Sequence, residues 1–360
     1  MPGRDITRQR NRAARVLLLF TSIWAAILLG TPTRSQSAPA QNDAKPSAAA
    51  PTPQTPEVAA PPAPDSQQQE KNPGDQGIYV FRKDVDEVLL HATVIDDKQR
   101  MVTNLDRSDF TVFEDGKPQN IISFHHEDIP VAMGIVIDNS GSMREKRNKV
   151  NQAALNLVRS SNPRDEVFIV NFNDEYYLDQ DFTNDLLKLK EALEKIDASG
   201  GTALRDAVVA SAEHLKQNAR LEKKVLFVVT DGDDNASNES LERTVQHLQE
   251  ENGPMVYAIG ILGDEEHPRR ARKALQIIAQ CTGGMAFFPK TLGEVDEISK
   301  TIAHDIRNQY TIGYKPTTPR GAGGFRMVRV EAKAKGHGKL TVRTKSGYYA
   351  GAQPAASAGK

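Results

Sequence analysis

The sequence predicts an α/β protein: a doubly wound, mostly parallel sheet inserted between two β segments that form one β-sandwich. Three observations carry this. Apolar runs alternate with amphipathic helical stretches through the middle of the chain. Period-two strand patterns with few helix signals flank that region on both sides. The run Val131 to Ile137 is almost continuously apolar, as in a strand buried on both faces.

In the middle region, Val131 to Ile137 is followed by a basic helical stretch up to Arg159, regular from Asn148. Val167 to Phe172 reads as a strand and Tyr176 to Asp181 as an antiparallel edge. Asp185 to Ile196 and Ala203 to Lys216 are helical, and Val225 to Thr230 is a strand. Leu241 to Glu250 is helical and Met255 to Gly260 a strand. Arg270 to Ala279 is helical, Met285 to Phe288 a short strand, and Val295 to Arg307 the closing helix. Such alternation implies right-handed βαβ crossovers.

Before it lie Ile78 to Phe81, Val88 to Val94, Phe110 to Glu114 and Ile121 to Phe124, with a tight turn at Asp115-Gly116. After it come Gln309 to Tyr314, Met327 to Ala332 and Lys339 to Arg343. The leading unit of about fifty residues is thin for a core of its own. Joining both flanks buries more, which is the ground for expecting one sandwich at 77–128 and 308–350 around a domain at 129–307.

The N-terminus has the pattern of an export signal over 1–40. Arg4, Arg8, Arg10, Arg12 and Arg15 precede the apolar stretch Val16 to Leu29, and Ala38-Pro39-Ala40 offers a cleavage site. The signal is either cleaved or kept as an anchor, the one route by which the chain would meet a membrane. A linker rich in Pro, Ala and Gln follows at 41–76, too poor in apolar residues to fold. A polar tail is expected at 351–360. The expected location is therefore the periplasm, the cell envelope or the extracellular space. With 46 basic and 47 acidic residues, the charge gives no sign of nucleic-acid binding.

The strand Val131 to Ile137 runs into Asp138-Asn139-Ser140-Gly141-Ser142. One carboxylate and two hydroxyls thus stand at the carboxyl end of a central strand, where open α/β sheets bind ligands. These are hard oxygens, suited to Mg²⁺, Mn²⁺ or Ca²⁺ rather than zinc. Gly200-Gly201-Thr202 opens one helical stretch, and Thr230-Asp231-Gly232 ends another strand.

Asp138-x-Ser140-x-Ser142, with these two later pieces in order, resembles the metal-ion-dependent adhesion site of von Willebrand factor type A and integrin I domains. The resemblance covers about residues 129 to 305. It implies a metal site made by Asp138, Ser140, Ser142, Thr202 and Asp231, holding Mg²⁺, with Mn²⁺ or Ca²⁺ as alternatives. It also implies a protein partner that offers Asp or Glu to the metal. The folded part, 77 to 350, resembles exported bacterial proteins carrying such a domain between β segments.

A non-catalytic binding module is the expected function; the competing class is a metal-dependent hydrolase or phosphatase of the cell envelope. Metal-bound water can be activated for hydrolysis. An Asp at a strand end can also be a phosphoryl acceptor, but such enzymes carry a second Asp two residues on, where this chain has Ser140. No P-loop pattern occurs. The eight His residues are scattered. Asp231 to Glu242 has the ligand spacing of an EF-hand loop, but Ala236 stands where the sharp turn needs Gly. That segment reads better as a helix start, with Ser237 or Asn238 as cap. Cys281, the single cysteine, reads as a small buried side chain at a helix end.

Overall fold

The computed structural model describes residues 87–351, except 195–197 and 264–266. The expected export signal, linker, first strand at 78–81 and polar tail from 352 on lie outside the described residues.

The middle region forms a sheet in the order β6-β5-β4-β7-β8-β9. Its strands are β4 (Val131–Asp138), β5 (Glu166–Phe172), β6 (Tyr176–Thr183), β7 (Lys223–Thr230), β8 (Met255–Gly260) and β9 (Ala286–Phe287). β5 and β7 pair parallel to β4, and β8 and β9 continue the parallel set, whereas β6 is antiparallel to β5. Among the described residues, five helices lie between these strands and a sixth follows the last: α1 (Arg147–Ser160), α2 (Leu186–Glu194), α3 (Leu204–Asn218), α4 (Leu241–Leu248), α5 (Pro268–Thr282) and α6 (Glu294–Arg307).

The period of two along β4 divides the core. Met133, Ile135 and Ile137 pack with Val150, Ala153, Ala154 and Leu157 of α1 and with Ile302 and Ile306 of α6. Ala132 and Val136 pack on the other face with Ala207 and Val208 of α3 and Ile278 of α5. The helix residues recur at the three- and four-residue steps that make one apolar stripe. Full burial of each large aliphatic side chain stabilises the fold by about 1.5–3 kcal/mol.

The flanks pair with each other. β1 (Val88–Ile95), β2 (Phe110–Glu114) and β3 (Lys117–His125) precede the middle region. β10 (Tyr310–Lys315), β11 (Phe325–Ala332), β12 (Thr341–Arg343) and β13 (Gly347–Tyr349) follow it. Together they form an antiparallel sheet in the order β12-β1-β10-β3-β2-β11-β13. The Asp115-Gly116 turn has φ of 48° and 79°, the left-handed geometry of a two-residue hairpin.

The expected sandwich is corrected in one respect. The two flanks build one body, but as a single curled sheet in which β11 also lies against β12. Val88, Leu90, Ala92 and Val94 share a core with Val112, Val328 and Val330 from the other end of the same sheet. Curling gives these side chains a partner layer without a second sheet.

Polar side chains join the two bodies. Asp305 of α6 accepts from the Thr93 hydroxyl of β1 and the Tyr257 hydroxyl of β8, each at 2.8 Å, and is paired with Arg343 of β12.

The start of α4 also differs from expectation. Ser240 caps it, accepting from the Arg243 N–H at 3.2 Å. Ser237 is instead engaged by Asp234 at 2.7 Å and by the Asp206 N–H, and so is not free to cap.

Candidate functional site

β4 and β7 are neighbours, but the chain leaves them toward opposite sides of the sheet order. This switch point opens a crevice at their carboxyl ends. Asp138 ends β4 and Thr230 ends β7. After β4 the chain makes a 3₁₀ turn, Gly141–Met143, before α1 begins.

Four of the five expected side chains meet here. Asp138 is fully buried. Its Oδ1 accepts from the Ser140 N–H at 2.8 Å and its Oδ2 from the Thr230 hydroxyl at 2.6 Å. The Ser140 and Ser142 hydroxyl oxygens lie 3.2 Å apart, and Ser142 Oγ donates to Asp231 Oδ1 at 2.8 Å. Asp231 and Ser140 are buried, whereas Ser142 faces solvent and marks the open side.

The fifth residue, Thr202, is buried on the adjoining loop. That loop is tied to both others. Gly141 N–H donates to the Gly200 carbonyl at 3.2 Å, Ser199 N–H to the Asn139 carbonyl at 2.9 Å, and Asn235 Oδ1 accepts from the Thr202 N–H at 2.8 Å.

Sequence reading missed several residues that shape the site. Thr230 satisfies Asp138 from the neighbouring strand. Asp174, in the β5–β6 turn, accepts from the Gly201 N–H at 2.9 Å. Gly200 has φ of 78°, and a β-carbon there would collide with the Asp174 carboxylate, so both its conformation and its bareness are used. Arg147 lies beneath the site. Its guanidinium donates to the Asp138 carbonyl at 3.4 Å and to Asn171 Oδ1 and the Leu193 carbonyl, each at 3.0 Å. Lys146 is ion-paired with Asp231. An acidic turn after β5 and bases at the start of α1 were visible as residue types, but nothing local linked them to Asp138.

Burial pushes the Asp138 carboxyl up to about 6, against the lowering pull of its hydrogen bonds from Thr230 and Ser140; Asp231 raises it further. Burial also lowers Arg147 to about 10.

The donor set fits a small hard cation. Octahedral Mg²⁺ has oxygen bonds near 2.1 Å, which makes adjacent ligand oxygens about 3 Å apart. The Ser140–Ser142 and Ser142–Asp231 spacings, 3.2 and 2.8 Å, bracket that edge. Ser140, Ser142 and Asp231 could hold such an ion directly, with Asp138 and Thr202 in support.

The EF-hand spacing from Asp231 to Glu242 does not become a calcium loop. Asp233 pairs with Arg270 at 3.4 Å and Asp234 with Arg205 at 2.9 Å. Among the described residues, no three His, Cys, Asp or Glu side chains gather in a metal-holding group. Cys281 sits near the end of α5, partly buried, and burial pushes its thiol up to about 12, which leaves it unreactive.

Residues 133–301 match the family model described as the von Willebrand factor type A domain. The chain therefore carries such a domain. Among solved structures it is similar to a von Willebrand factor type A protein from Catenulispora acidiphila. That match has 13% identity, covers 75% of this chain and 74% of the other, and has a TM-score of 0.44. The vWF domain of the type V pili tip protein Mfa5 from Porphyromonas gingivalis matches at 13% identity over 50% of this chain and 97% of its own, with a TM-score of 0.40. The PilB minor pilin from Streptococcus sanguinis matches at 14% identity and a TM-score of 0.42, over 51% of this chain and 62% of the pilin. The chain thus spans less than two thirds of that pilin. No curated protein matches the chain.

Proposed function

We propose that this von Willebrand factor type A domain is a metal-dependent protein-binding module that acts outside the cytoplasm. It captures an acidic side chain of a partner through a divalent cation, Mg²⁺ first, with Mn²⁺ or Ca²⁺ as alternatives. The observation that carries the reading is the oxygen chain from Ser140 through Ser142 to Asp231 at the switch point, spaced as a small cation requires. The family resemblance supplies the mode. The Ser140 and Ser142 hydroxyls and Asp231 hold the ion, Asp138 and Thr202 support it, and the position toward solvent at Ser142 is left for the partner's Asp or Glu.

Binding is favoured over hydrolysis by the inventory of groups. Both oxygens of Asp138 already accept hydrogen bonds, from Ser140 and Thr230, which positions this carboxylate as a support rather than a free nucleophile. The export pattern of the first forty residues supports a location in the periplasm, the envelope or the medium. Among the described residues, no helix is long and apolar enough to cross a membrane.

Calorimetric titration of Mg²⁺ and Mn²⁺ into the full chain tests the reading. One site is expected, lost in Asp138→Ala and weakened in Asp231→Ala. Equal heats from wild type and Asp138→Ala would remove its basis.

A further inference from the structure

Lys146 is a charged group at the site that the metal reading does not use. It sits between the 3₁₀ turn and α1, where its N–H donates to the Met143 carbonyl at 2.8 Å. Its side chain, 18% exposed, reaches down to Asp231, whose side chain is fully buried. There its ammonium meets Asp231 Oδ2, while Ser142 Oγ holds Oδ1. The next residue, Arg147, turns the other way, beneath Asp138.

Each of the two central carboxylates therefore already has a cation beside it. Asp138 and Asp231 face Lys146 and Arg147. Two further acids of the β7–α4 loop have bases of their own, Arg270 for Asp233 and Arg205 for Asp234. A divalent ion held by Ser140, Ser142 and Asp231 would stand against the Lys146 ammonium, like charge to like, over the same carboxylate. Arg147 cannot yield, because three carbonyl-type oxygens fix its guanidinium. Lys146 can, because its stem is flexible and leads to solvent.

We infer that Lys146 is a tethered competitor for the cation site: its ammonium neutralises Asp231 in the metal-free chain and must swing out to admit a divalent ion. This rests on the proposal that the site takes such an ion. Two consequences follow from one contact. Metal affinity is set lower than the oxygen ligands alone would give, so the site loads only when the ion is plentiful. The metal-free domain also keeps its buried carboxylate paired, so folding does not depend on metal.

The test is calorimetric titration of Mn²⁺ into the full chain and into Lys146→Met, with melting temperatures of both in EDTA and in saturating Mn²⁺. Methionine keeps the stem and removes the charge. Lys146→Met is expected to bind roughly tenfold tighter or more, the scale on which one close charge shifts another's equilibrium. In EDTA the variant melts below wild type, and Mn²⁺ raises the variant's melting temperature more than wild type's. Equal affinity in the two chains, or weaker binding by the variant, overturns the competitor role and leaves the metal site standing. Absence of binding by both chains overturns the competitor role together with the metal reading. Asp231→Asn, which removes the shared carboxylate, should abolish the difference that Lys146→Met otherwise makes.

Discussion

The Thr230 hydroxyl donates to the Asp138 carboxylate at 2.6 Å, joining the carboxyl ends of two adjacent parallel strands. Both residues are fully buried. The bond fixes the carboxylate on which the site is built, and it does so from a strand some ninety residues further along the chain.

Replacing Thr230 with Val keeps the β-branched shape of a strand residue and removes the donor. One oxygen of a buried carboxylate is then left unpaired, which costs about 1–3 kcal/mol. Chemical denaturation should show a loss of that order, with metal affinity reduced in the same protein. Wild-type stability in Thr230→Val would mean that water replaces the hydroxyl and that the strand-to-strand bond is not structural.

A second prediction concerns the base of the sheet. Lys223, buried at the start of β7, donates to the Ile306 carbonyl at the end of α6. Burial lowers its ammonium to about 8, against the raising influence of Asp305, Asp128 and Asp165. The unfolded chain keeps its proton to about pH 10.4. Between these values the unfolded state binds more protons, so stability rises with pH across that window. Denaturation of wild type and Lys223→Met from pH 7 to 10 should show wild type gaining on the variant above pH 8, by up to about 3 kcal/mol. A difference independent of pH would contradict the lowered value.

In the flanking sheet, Glu114 accepts from the Tyr314 and Tyr348 hydroxyls at 2.6 and 2.8 Å and faces Arg326 at 3.4 Å. Arg326 and Glu114 are both almost wholly buried. Glu114→Ala leaves a buried guanidinium without its counter-charge, a loss of about 3–5 kcal/mol. Because β10 lies between β1 and β3, the damage should reach both flanks. Hydrogen exchange is expected to rise in β1 and β10 together; a rise confined to β2 and β3 would show that the flanks open separately.

The strand of the site was legible because burial on both faces leaves a continuous apolar run, Val131 to Ile137, and nothing else in the chain combines that with Asp-x-Ser-x-Ser. The helices were legible from their apolar spacing, with ends displaced by a few residues. Pro268 at the first turn of α5 and Gly283, at φ of 87°, mark ends that residue chemistry does announce.

What stayed hidden depends on tertiary contact. Lys146 lies in a run of bases that reads as a solvated helix start, and its partner is 85 positions away. Thr230 reads as the last residue of a strand. The curl of the flanking sheet was hidden for a different reason. Val88, Leu90, Ala92 and Val94 alternate in the same way whether their covering layer is a second sheet or the far end of their own. The Ser240 cap was missed because Ser237 and Asn238 have the same capping chemistry but are engaged by Asp234 and Asp206.

The decisive question is whether a partner's carboxylate enters at the metal. Selection of random displayed peptides on the Mg²⁺-loaded chain measures this and needs no identified partner. The enriched peptides are predicted to share an Asp or Glu, to be released by EDTA and restored by Mg²⁺, and to be lost on Asp138→Ala. Enriched peptides that lack an acidic residue and bind equally well in EDTA would contradict it.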